Sequence, residues 1–263
     1  MKIREIVEKD IRDIEDIARR TWEGEDYLPR VFARWVKEGD FYGIEVDGKV
    51  IATGKITLLP GKVGWLEGLR VHPSYRGSGY GRVMHEFLLE KAKDLKERGI
   101  IQFLEYSTYF TNEASIHLGL KSGFKIVQRY YGMDYSTSSK NEPKKIRLES
   151  VEEFGYEDYI PCGWKFIRRI PESLDYLRDK CQVLEFKNYK FMILKNNPEE
   201  VTPFVPTPEY VKEILPAISY FSPSGVASIR VPENEDLHRY ESLGFKKWEE
   251  TEEPEILLLN KKL

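Results

Sequence analysis

The sequence predicts an α/β (α+β) fold in which a mixed sheet is flanked by helices. Strand and helix patterns follow one another through the first half in the order strand, two helices, three strands, helix, strand, helix, strand. The dipeptide Asp47-Gly48 separates two of these strands and predicts a tight antiparallel hairpin. A glycine-rich segment, residues 76–81, lies between a predicted strand and a predicted helix.

The first elements follow from the spacing of apolar residues. Residues 2–6 predict a short strand. Asp10 offers an N-cap, and isoleucines at helical spacing after it predict a helix to about residue 22. A second helix is predicted after residues 26–29, with Trp35 among its apolar positions.

The hairpin and the strand after it have the clearest turn chemistry. Strands over residues 41–46 and 49–59 flank Asp47-Gly48, which suits a type I′ turn because both residues tolerate a positive φ. Pro60-Gly61 then turns the chain into a third strand over residues 63–71.

Four further elements complete the first half. Apolar residues at helical spacing predict a helix over residues 79–98, which Gly99 ends. A strand over 101–107, a helix over 112–122 and a strand over 124–134 follow. We therefore predict a first domain over residues 1–135.

The second half repeats part of this pattern. Residues 136–145 are rich in Ser, Lys and Asn and predict a linker. Leu243-Gly244-Phe245 resembles Ser122-Gly123-Phe124 at an offset of 121 residues, from position 123 to position 244, which is about one domain length. With strands predicted over 226–231 and 256–259, residues 146–263 form a second, smaller domain of a tandem protein.

The composition argues against several classes of protein. A net charge of −3 and a pI near 6.0 disfavour a dedicated nucleic-acid binder, which presents a basic surface. No apolar run suits a membrane span or a secretory signal, which predicts a cytoplasmic protein. Charged residues make up 32% of the chain while glutamine occurs three times, a balance typical of thermophilic proteins.

The cysteines and histidines do not indicate a metal site. Cys162 and Cys181 have no paired metal-binding spacing, so two buried free thiols are predicted, with a disulfide as the alternative. The four histidines lie singly and outside any HExxH pattern. We expect no bound metal ion.

The glycine-rich segment has the chemistry of an anion site. Glycines let the backbone approach a phosphate closely, and the amides at a helix N-terminus add the positive end of the helix dipole. Arg76 adds a fixed positive charge. The segment therefore predicts a phosphate-binding loop, without identifying its ligand.

Two motifs resemble the GNAT N-acetyltransferase superfamily. The run from Leu66 to Gly81, L-E-G-L-R-V-H-P-S-Y-R-G-S-G-Y-G, resembles the family's V-x-P-x-x-R-G-x-G-x-G signature after an apolar strand. The run from Asn112 to Phe124 is similar to the family's N-x-x-A…L…K-x-G-F element. The resemblance covers residues 1–135 and implies the GNAT acyl-CoA N-acyltransferase fold, with a mostly antiparallel sheet. With the repeat at residues 243–245, it makes the second half a degenerate GNAT-like copy.

The resemblance also implies how acetyl-CoA, the co-substrate, is held. The strand backbone around Leu69 and Val71 would pair with the pantetheine arm, and the glycine-rich loop would bind the pyrophosphate. An amide near Val71 would polarise the thioester carbonyl. The implied cofactor-binding residues are Leu69, Arg70, Val71, Arg76, Gly77, Ser78, Gly79, Tyr80, Gly81, Asn112 and Ser115.

One carboxylate and one glycine bear on catalysis. Glu67 resembles the acidic position that many family members use as a base, and a solvated or ion-paired strand carboxylate is the alternative. Gly119 stands where many relatives have a tyrosine that protonates the leaving thiolate. The identity of the general acid is therefore open, and a water molecule would suffice to protonate the thiolate.

Residues 22–29 lie where this fold commonly builds its acceptor wall, and their acidic side chains would favour an amine. The alternative is a solvated acidic turn with a helix cap, in which Trp22 and Tyr27 only pack. Together with Trp35 and residues 65–71 they faintly resemble the branch that includes histidine N-acetyltransferase. The second half has no copy of the phosphate loop at residues 220–225. Four of its aromatic residues either wall an acceptor cleft or form a core, namely Trp164, Phe204, Tyr210 and Tyr220.

These observations predict an acetyl-CoA-dependent N-acetyltransferase in which the primary amine of a small molecule or amino acid attacks directly. One alternative is a protein N-terminal or lysine acetyltransferase, and another is a non-catalytic acyl-CoA sensor. No nucleic-acid or membrane partner is expected, and monomer and homodimer are both open. The sequence identifies neither the acceptor nor the acyl group.

Overall fold

The computed structural model describes residues 1–21, 24, 26–138 and 141–263, and contacts divide the chain into two units. The first unit comprises Met1–Tyr106 and Lys261–Leu263, and the second comprises Ser107–Asn260. Within the described residues, no helix is both long and apolar enough to cross a membrane.

The first unit is built on a sheet whose strands follow the predicted order. Its elements are β1 (Lys2–Glu5), α1 (Ile11–Arg19), α2 (Leu28–Glu38), β2 (Phe41–Val46), β3 (Lys49–Leu59), β4 (Val63–Val71), α3 (Tyr80–Glu97) and β5 (Phe103–Tyr109), the last extending into the second unit. Strands β1 to β4 are consecutive antiparallel neighbours. Strand β5 joins β4 in parallel, through residues 63–65 and 103–105.

The predicted turns of this unit are confirmed. Asp47 and Gly48 have φ values of 49° and 79°, as a type I′ turn requires. Gly61 and Lys62 also have positive φ where β3 turns into β4. At the end of α3, Gly99 has a φ of 72°, which a residue without a Cβ adopts most readily.

The predicted N-cap position of α1 is confirmed, but its side chain does not cap the helix. Asp10 occupies the N-cap position but makes no capping hydrogen bond, and a short 3-10 turn, Glu8–Asp10, precedes the helix. Its carboxylate instead accepts from the Val7 amide at 2.9 Å and pairs with Arg4 at 2.7 Å. The nearby guanidinium of β1 draws the carboxylate away from the helix amides, an influence that residue spacing does not reveal.

Two glycines allow helices to pack closely on β3 and β4. A Cβ built on Gly54 would lie 2.8 Å from Leu88 and 2.9 Å from Met84 of α3. One built on Gly68 would lie 2.6 Å from the Trp35 ring of α2. A side chain at either position would therefore push a helix away from the sheet.

The second unit carries the remaining elements. They are α4 (Glu113–Lys121), β6 (Lys125–Ser136), β7 (Lys144–Ile146), β8 (Tyr159–Cys162), β9 (Lys165–Arg168), α5 (Leu174–Lys180), β10 (Cys181–Phe186), β11 (Tyr189–Leu194), β12 (Asn197–Pro203), α6 (Pro208–Ile214), β13 (Val226–Pro232), α7 (Leu237–Ser242), β14 (Lys246–Lys247) and β15 (Ile256–Lys262). The strands lie in the order β15-β6-β13-β12-β11-β10-β7, with β14 also paired to β6. Strands β8 and β9 form a separate hairpin.

The second unit repeats features of the first. The β10–β11 hairpin turns through Lys187 and Asn188, which both have positive φ, as Asp47 and Gly48 do. Strand β13 is parallel to β12 after an intervening helix, the relation that β5 has to β4. A degenerate GNAT-like copy in this unit stays a prediction.

The motif that repeats at an offset of 121 residues also repeats its hydrogen bonds. Gly123 and Phe124 donate to Leu120 and Gly119 at the end of α4, each at 3.0 Å. The corresponding amides after α7 make the same bonds 121 positions later, Gly244 to Glu241 at 2.9 Å and Phe245 to Tyr240 at 3.2 Å.

The pairing of strand β6 explains why the boundary between the two units does not lie at residue 135. It pairs with β13 over the register from Tyr130↔Pro232 to Ser136↔Val226, and with β15 on its other side. The strand predicted to end the first domain thus lies inside the second unit's sheet. The boundaries 1–135, 136–145 and 146–263 stay predictions.

The two cysteines are free thiols, as predicted. Both are buried, and their sulfur atoms lie 3.4 Å apart. The contact with Cys162 and burial raise the pKa of the Cys181 thiol.

Candidate functional site

The glycine loop, residues 76–81, joins the end of β4 to α3. A 3-10 turn, Pro73–Tyr75, comes first, and the His72 side chain accepts from the Ser74 amide at 3.2 Å. Gly77 and Gly79 have φ values of 79° and 82°. A Cβ built on either would meet nothing within 4 Å, so the glycines are needed for the backbone conformation and leave open space beside it.

The first turn of α3 presents amides to this space. Gly79 is the N-cap residue, and no side chain in the described chain caps the helix there. The first turn carries no acidic residue. Because the first amides of a helix have no intrahelical acceptor and lie at the positive end of its dipole, this terminus favours an anion.

Arg76 links the loop to the preceding strand. Its Nε donates to the Val71 carbonyl at 3.1 Å while its side chain is exposed. The loop therefore has a fixed positive charge at its entrance, as the sequence predicts.

A β-bulge shapes the strand before the loop. Thr53 pairs with Arg70 but Lys55 pairs with Glu67, so Gly68 and Leu69 together oppose Gly54. Gly68 has a φ of 67°. Residues three apart in a regular strand point to opposite faces, and the extra residue brings Glu67 and Arg70 to the same face.

Glu67 lies on this face among polar partners. The Thr57 hydroxyl donates to its carboxylate. Its register partner Lys55 is buried, and the ammonium donates to the Gly39 carbonyl at 2.7 Å and lies 3.5 Å from Glu38. Burial lowers the pKa of Lys55, an effect that the carboxylates of Glu38 and Glu67 oppose.

Arg70 organises the start of α2. Its Nε is 2.7 Å from the fully buried carboxylate of Asp26, which also accepts from the Leu28 amide at 3.0 Å. The guanidinium lies 5.4 Å from the centre of the Tyr27 ring. Burial raises the pKa of Tyr27 to about 12, although Arg70 acts in the opposite direction.

This network changes the interpretation of the predicted acceptor wall. The charge of Asp26 is compensated by Arg70, so it offers no free negative charge to an amine. The side chain of Arg70 is likewise engaged by Asp26. Only its backbone is left for the predicted contact with acetyl-CoA. Trp22, Glu23 and Glu25 lie outside the described residues.

The backbone of β4 beyond residue 65 is not paired with β5, because the register between these strands covers residues 63–65 only. The carbonyls of Leu69 and Val71 accept from Arg70 and Arg76, at 3.0 and 3.1 Å. Their predicted pairing with a pantetheine arm stays a prediction.

Asn112 and Ser115 belong to the second unit, where they form a helix cap. The Asn112 Oδ1 accepts from the Ser115 amide at 3.4 Å, at the start of α4. Gly119 is buried within that helix. Contact of Asn112 and Ser115 with a cofactor stays a prediction.

The aromatic residues of the second unit have different roles. Phe204 is buried with its ring 4.2 Å from that of Phe154, and the Tyr210 hydroxyl donates to the Lys190 carbonyl at 3.1 Å. Tyr220 is partly buried against Phe221. Trp164 differs from them because 43% of its surface is exposed.

The second unit has a segment that corresponds by element order to the glycine loop. By element order it is residues 204–207, between β12 and α6, rather than residues 220–225. This counterpart is Phe204-Val205-Pro206-Thr207, without glycine and with one amide removed by proline. It cannot present the same succession of amides.

Sequence patterns missed Lys55, Thr57 and the Asp26–Arg70 pair. A lysine within the apolar run of β3 was the available signal for Lys55, since an uncompensated charge is costly at a buried strand position. No group of three or more His, Cys, Asp and Glu side chains among the described residues could hold a metal ion.

The comparisons with known proteins point to one family. Residues 9–124 match the model of the Acetyltransferase (GNAT) family. A histidine N-acetyltransferase of Xenopus tropicalis is 34% identical over 89 residues, or 33% of this chain, and the chain spans 28% of that protein's length.

Two solved structures share the fold over nearly the whole chain. A candidate acetyltransferase from Thermoplasma acidophilum has a TM-score of 0.68 at 20% identity, with 100% of both chains covered. A GCN5-related N-acetyltransferase from Sphaerobacter thermophilus has a TM-score of 0.66 at 12% identity, with 99% of this chain and 95% of that chain covered.

Proposed function

We propose, from the match of residues 9–124 to the Acetyltransferase (GNAT) family, that the chain transfers an acetyl group from acetyl-CoA to the primary amine of a small molecule or amino acid. The observation that carries the proposal is the glycine loop. Its two positive-φ glycines, the uncapped start of α3 and Arg76 together fit a pyrophosphate.

Acetyl-CoA supplies the acyl group as a thioester. The amides of the loop and the Arg76 guanidinium bind its phosphates, and an amide near Val71 stabilises negative charge on the thioester oxygen. Glu67 accepts a proton from the acceptor ammonium, directly or through water, and the Thr57 hydroxyl orients its carboxylate. The resulting neutral amine attacks the thioester carbon, and the C–S bond breaks as the amide forms. With Gly119 in place of a tyrosine, water protonates the leaving thiolate.

A free amino acid is the acceptor class that we favour. An α-amino group is less basic than a lysine ε-amino group, whose pKa is about 10.4, so a larger fraction of it is neutral near pH 7 and it depends less on a base. The similarity to a histidine N-acetyltransferase supports the same choice. The absence of a tyrosine at Gly119 favours a second candidate, a non-catalytic acyl-CoA sensor.

Thiol release from acetyl-CoA, measured with amino acids, polyamines and peptides, separates these functions. Turnover with amino acids supports the proposal, and turnover confined to peptides indicates a protein acetyltransferase. Tight coenzyme A binding without turnover on any acceptor indicates the sensor.

A matched pair of glycines tests the loop. Gly79 and Gly99 lie at opposite ends of α3, both with positive φ and with nothing within 4 Å of a built Cβ. Gly79→Ala and Gly99→Ala should each cost about 1 kcal/mol of folding free energy. Only Gly79→Ala should also weaken coenzyme A binding, by at least about tenfold in titration calorimetry. Equal affinity of the two variants would remove the loop from the cofactor site.

A further inference from the structure

An exposed tryptophan lies at the tip of the β8–β9 hairpin in the second unit. Gly163, with a φ of 65°, and Trp164 form the turn. Trp164 is 43% exposed, and its carbonyl accepts from the Ser107 hydroxyl at 2.6 Å. The backbone that presents this indole is thus fixed by the turn and by a hydrogen bond from β5.

Two further rings surround it, and we call Tyr109, Trp164 and Trp248 the aromatic cluster. The Trp164 ring lies 5.8 Å from that of Trp248 and 6.4 Å from that of Tyr109. The Trp248 indole donates to Asp134 at 2.8 Å. Its ring also packs against Gly132, where a Cβ would come within 2.3 Å of it. The cluster is therefore held in place before any ligand arrives.

One cation already lies against these rings. The Arg230 guanidinium is 4.3 Å from the centre of the Trp248 ring and 5.8 Å from that of Trp164. Arg230 is buried, and Glu200 binds it through both carboxylate oxygens, at 2.8 and 2.7 Å. Since Glu200 compensates its charge, Arg230 presents little repulsion to a second cation at the exposed side of Trp164.

Carboxylates contact the side chains of the cluster. The Tyr109 hydroxyl donates to Glu249 at 2.7 Å, and burial and this bond raise the pKa of Tyr109, so the phenol stays neutral at physiological pH. The segment between β14 and β15 carries Glu249, Glu250, Glu252, Glu253 and Glu255. Lys247 bonds to the Thr251 carbonyl at 2.8 Å and lies 3.9 Å from Glu252. The carboxylates of Glu249 and Asp134 thus bond directly to side chains of the cluster.

We propose that the aromatic cluster binds the ammonium group of a small organic cation. Aromatic faces attract a cation through their quadrupole, most strongly for tryptophan, and adjacent carboxylates add long-range attraction. The aromatic walls also favour an alkylated ammonium over an inorganic ion, because they contact its carbon atoms. This site involves binding alone and does not depend on acetyl transfer.

Titration calorimetry of the full chain with choline tests the proposal, with its neutral isostere 3,3-dimethylbutan-1-ol as the reference ligand. Choline should bind saturably, and the isostere at least about tenfold more weakly. Trp164→Ala should weaken choline binding by about tenfold, since one tryptophan face contributes on the order of a factor of ten. Glu249→Gln should weaken it less and reduce its dependence on salt.

Leu120→Ala is the matched control, because Leu120 is an exposed apolar residue of the same unit, 48% exposed. It should leave choline binding unchanged. Trp164→Phe should retain part of the affinity, and melting temperatures of all variants check the fold. Equal binding of choline and the isostere, no choline binding, or unchanged affinity in Trp164→Ala would each overturn the proposal.

Discussion

At the scale of single residues, the position of one β-bulge decides which side chains of β4 share a face. Glu67 and Arg70 share a face only because Gly68 and Leu69 bulge opposite Gly54. The same face carries Thr57, which donates to Glu67, and the buried Lys55. A polar face on an otherwise apolar strand pair is consistent with a site for proton transfer.

Glu67→Gln tests the proton transfer. If the carboxylate is the base, kcat/KM should fall by on the order of a hundredfold or more near pH 7. The loss should shrink as the pH rises through the pKa of the amine, because a neutral amine no longer needs a base. The pH profile of thiol release measures this.

Thr57→Val is the companion variant. It removes the hydroxyl that orients Glu67 but keeps the carboxylate, so its loss should be smaller and its pH profile closer to that of the wild type. If Glu67→Gln has the wild-type rate at every pH, Glu67 is not the base.

At the scale of elements, the junction of β1 and α1 is held by charge rather than by a helix cap. Arg4 of β1 binds Asp10, through 2.7 and 2.9 Å bonds, and also Glu45 of β2 at 2.6 Å. Burial by itself would raise the pKa of Asp10, but the bonds from Arg4 and the Val7 amide outweigh it, so the pKa lies below its usual value. The ionised form is the one that stabilises the fold.

The pH dependence of this junction follows from the direction of the shift. A carboxylate whose pKa is lower in the folded state stabilises the fold above its unfolded pKa of about 3.9, and that stabilisation is lost as the pH falls through the folded value. Asp10→Asn should therefore lower the free energy of urea unfolding by about 2 kcal/mol at pH 7. The difference from the wild type should shrink below about pH 4.

Glu15→Gln provides the control, since Glu15 is an exposed carboxylate on the same helix. It should change stability little at either pH. A difference for Asp10→Asn that persists undiminished in acid would mean that the ion pair is not what stabilises the junction.

At the scale of the whole molecule, β6 connects distant parts of the sequence within one unit. It lies between β15, near the end of the chain, and β13. A strand of twelve residues with neighbours on both sides loses its backbone partners when those neighbours are removed.

A shortened chain of residues 1–145 tests this arrangement by amide hydrogen exchange. The amides of β6 should exchange rapidly in the shortened chain and slowly in the full chain, because β13, β14 and β15 are missing. The β2–β3 hairpin is the internal control, since it keeps its partners β1 and β4. Equal protection of β6 in both chains would support the predicted domain boundary at residue 135.

The sequence by itself determined the features that depend on local chemistry. Asp47-Gly48 specifies its turn because both residues tolerate positive φ, and the glycine loop is set by residues adjacent in the chain. The end of α4 and its repeat after α7 follow from a glycine placed behind a short helix. These features involve residues a few positions apart, so a linear pattern contains all the information needed.

Only the tertiary structure decided the features that depend on distant partners. Asp26 meets Arg70 across 44 positions, and Trp248 meets Asp134 across 114. Which strands lie beside β6 is decided in the same way, by the pairing of distant strands. The register of pairing also decides on which face of β4 Glu67 lies. Such pairings are selected by the burial and charge compensation of the complete fold, and no local window of the sequence specifies them.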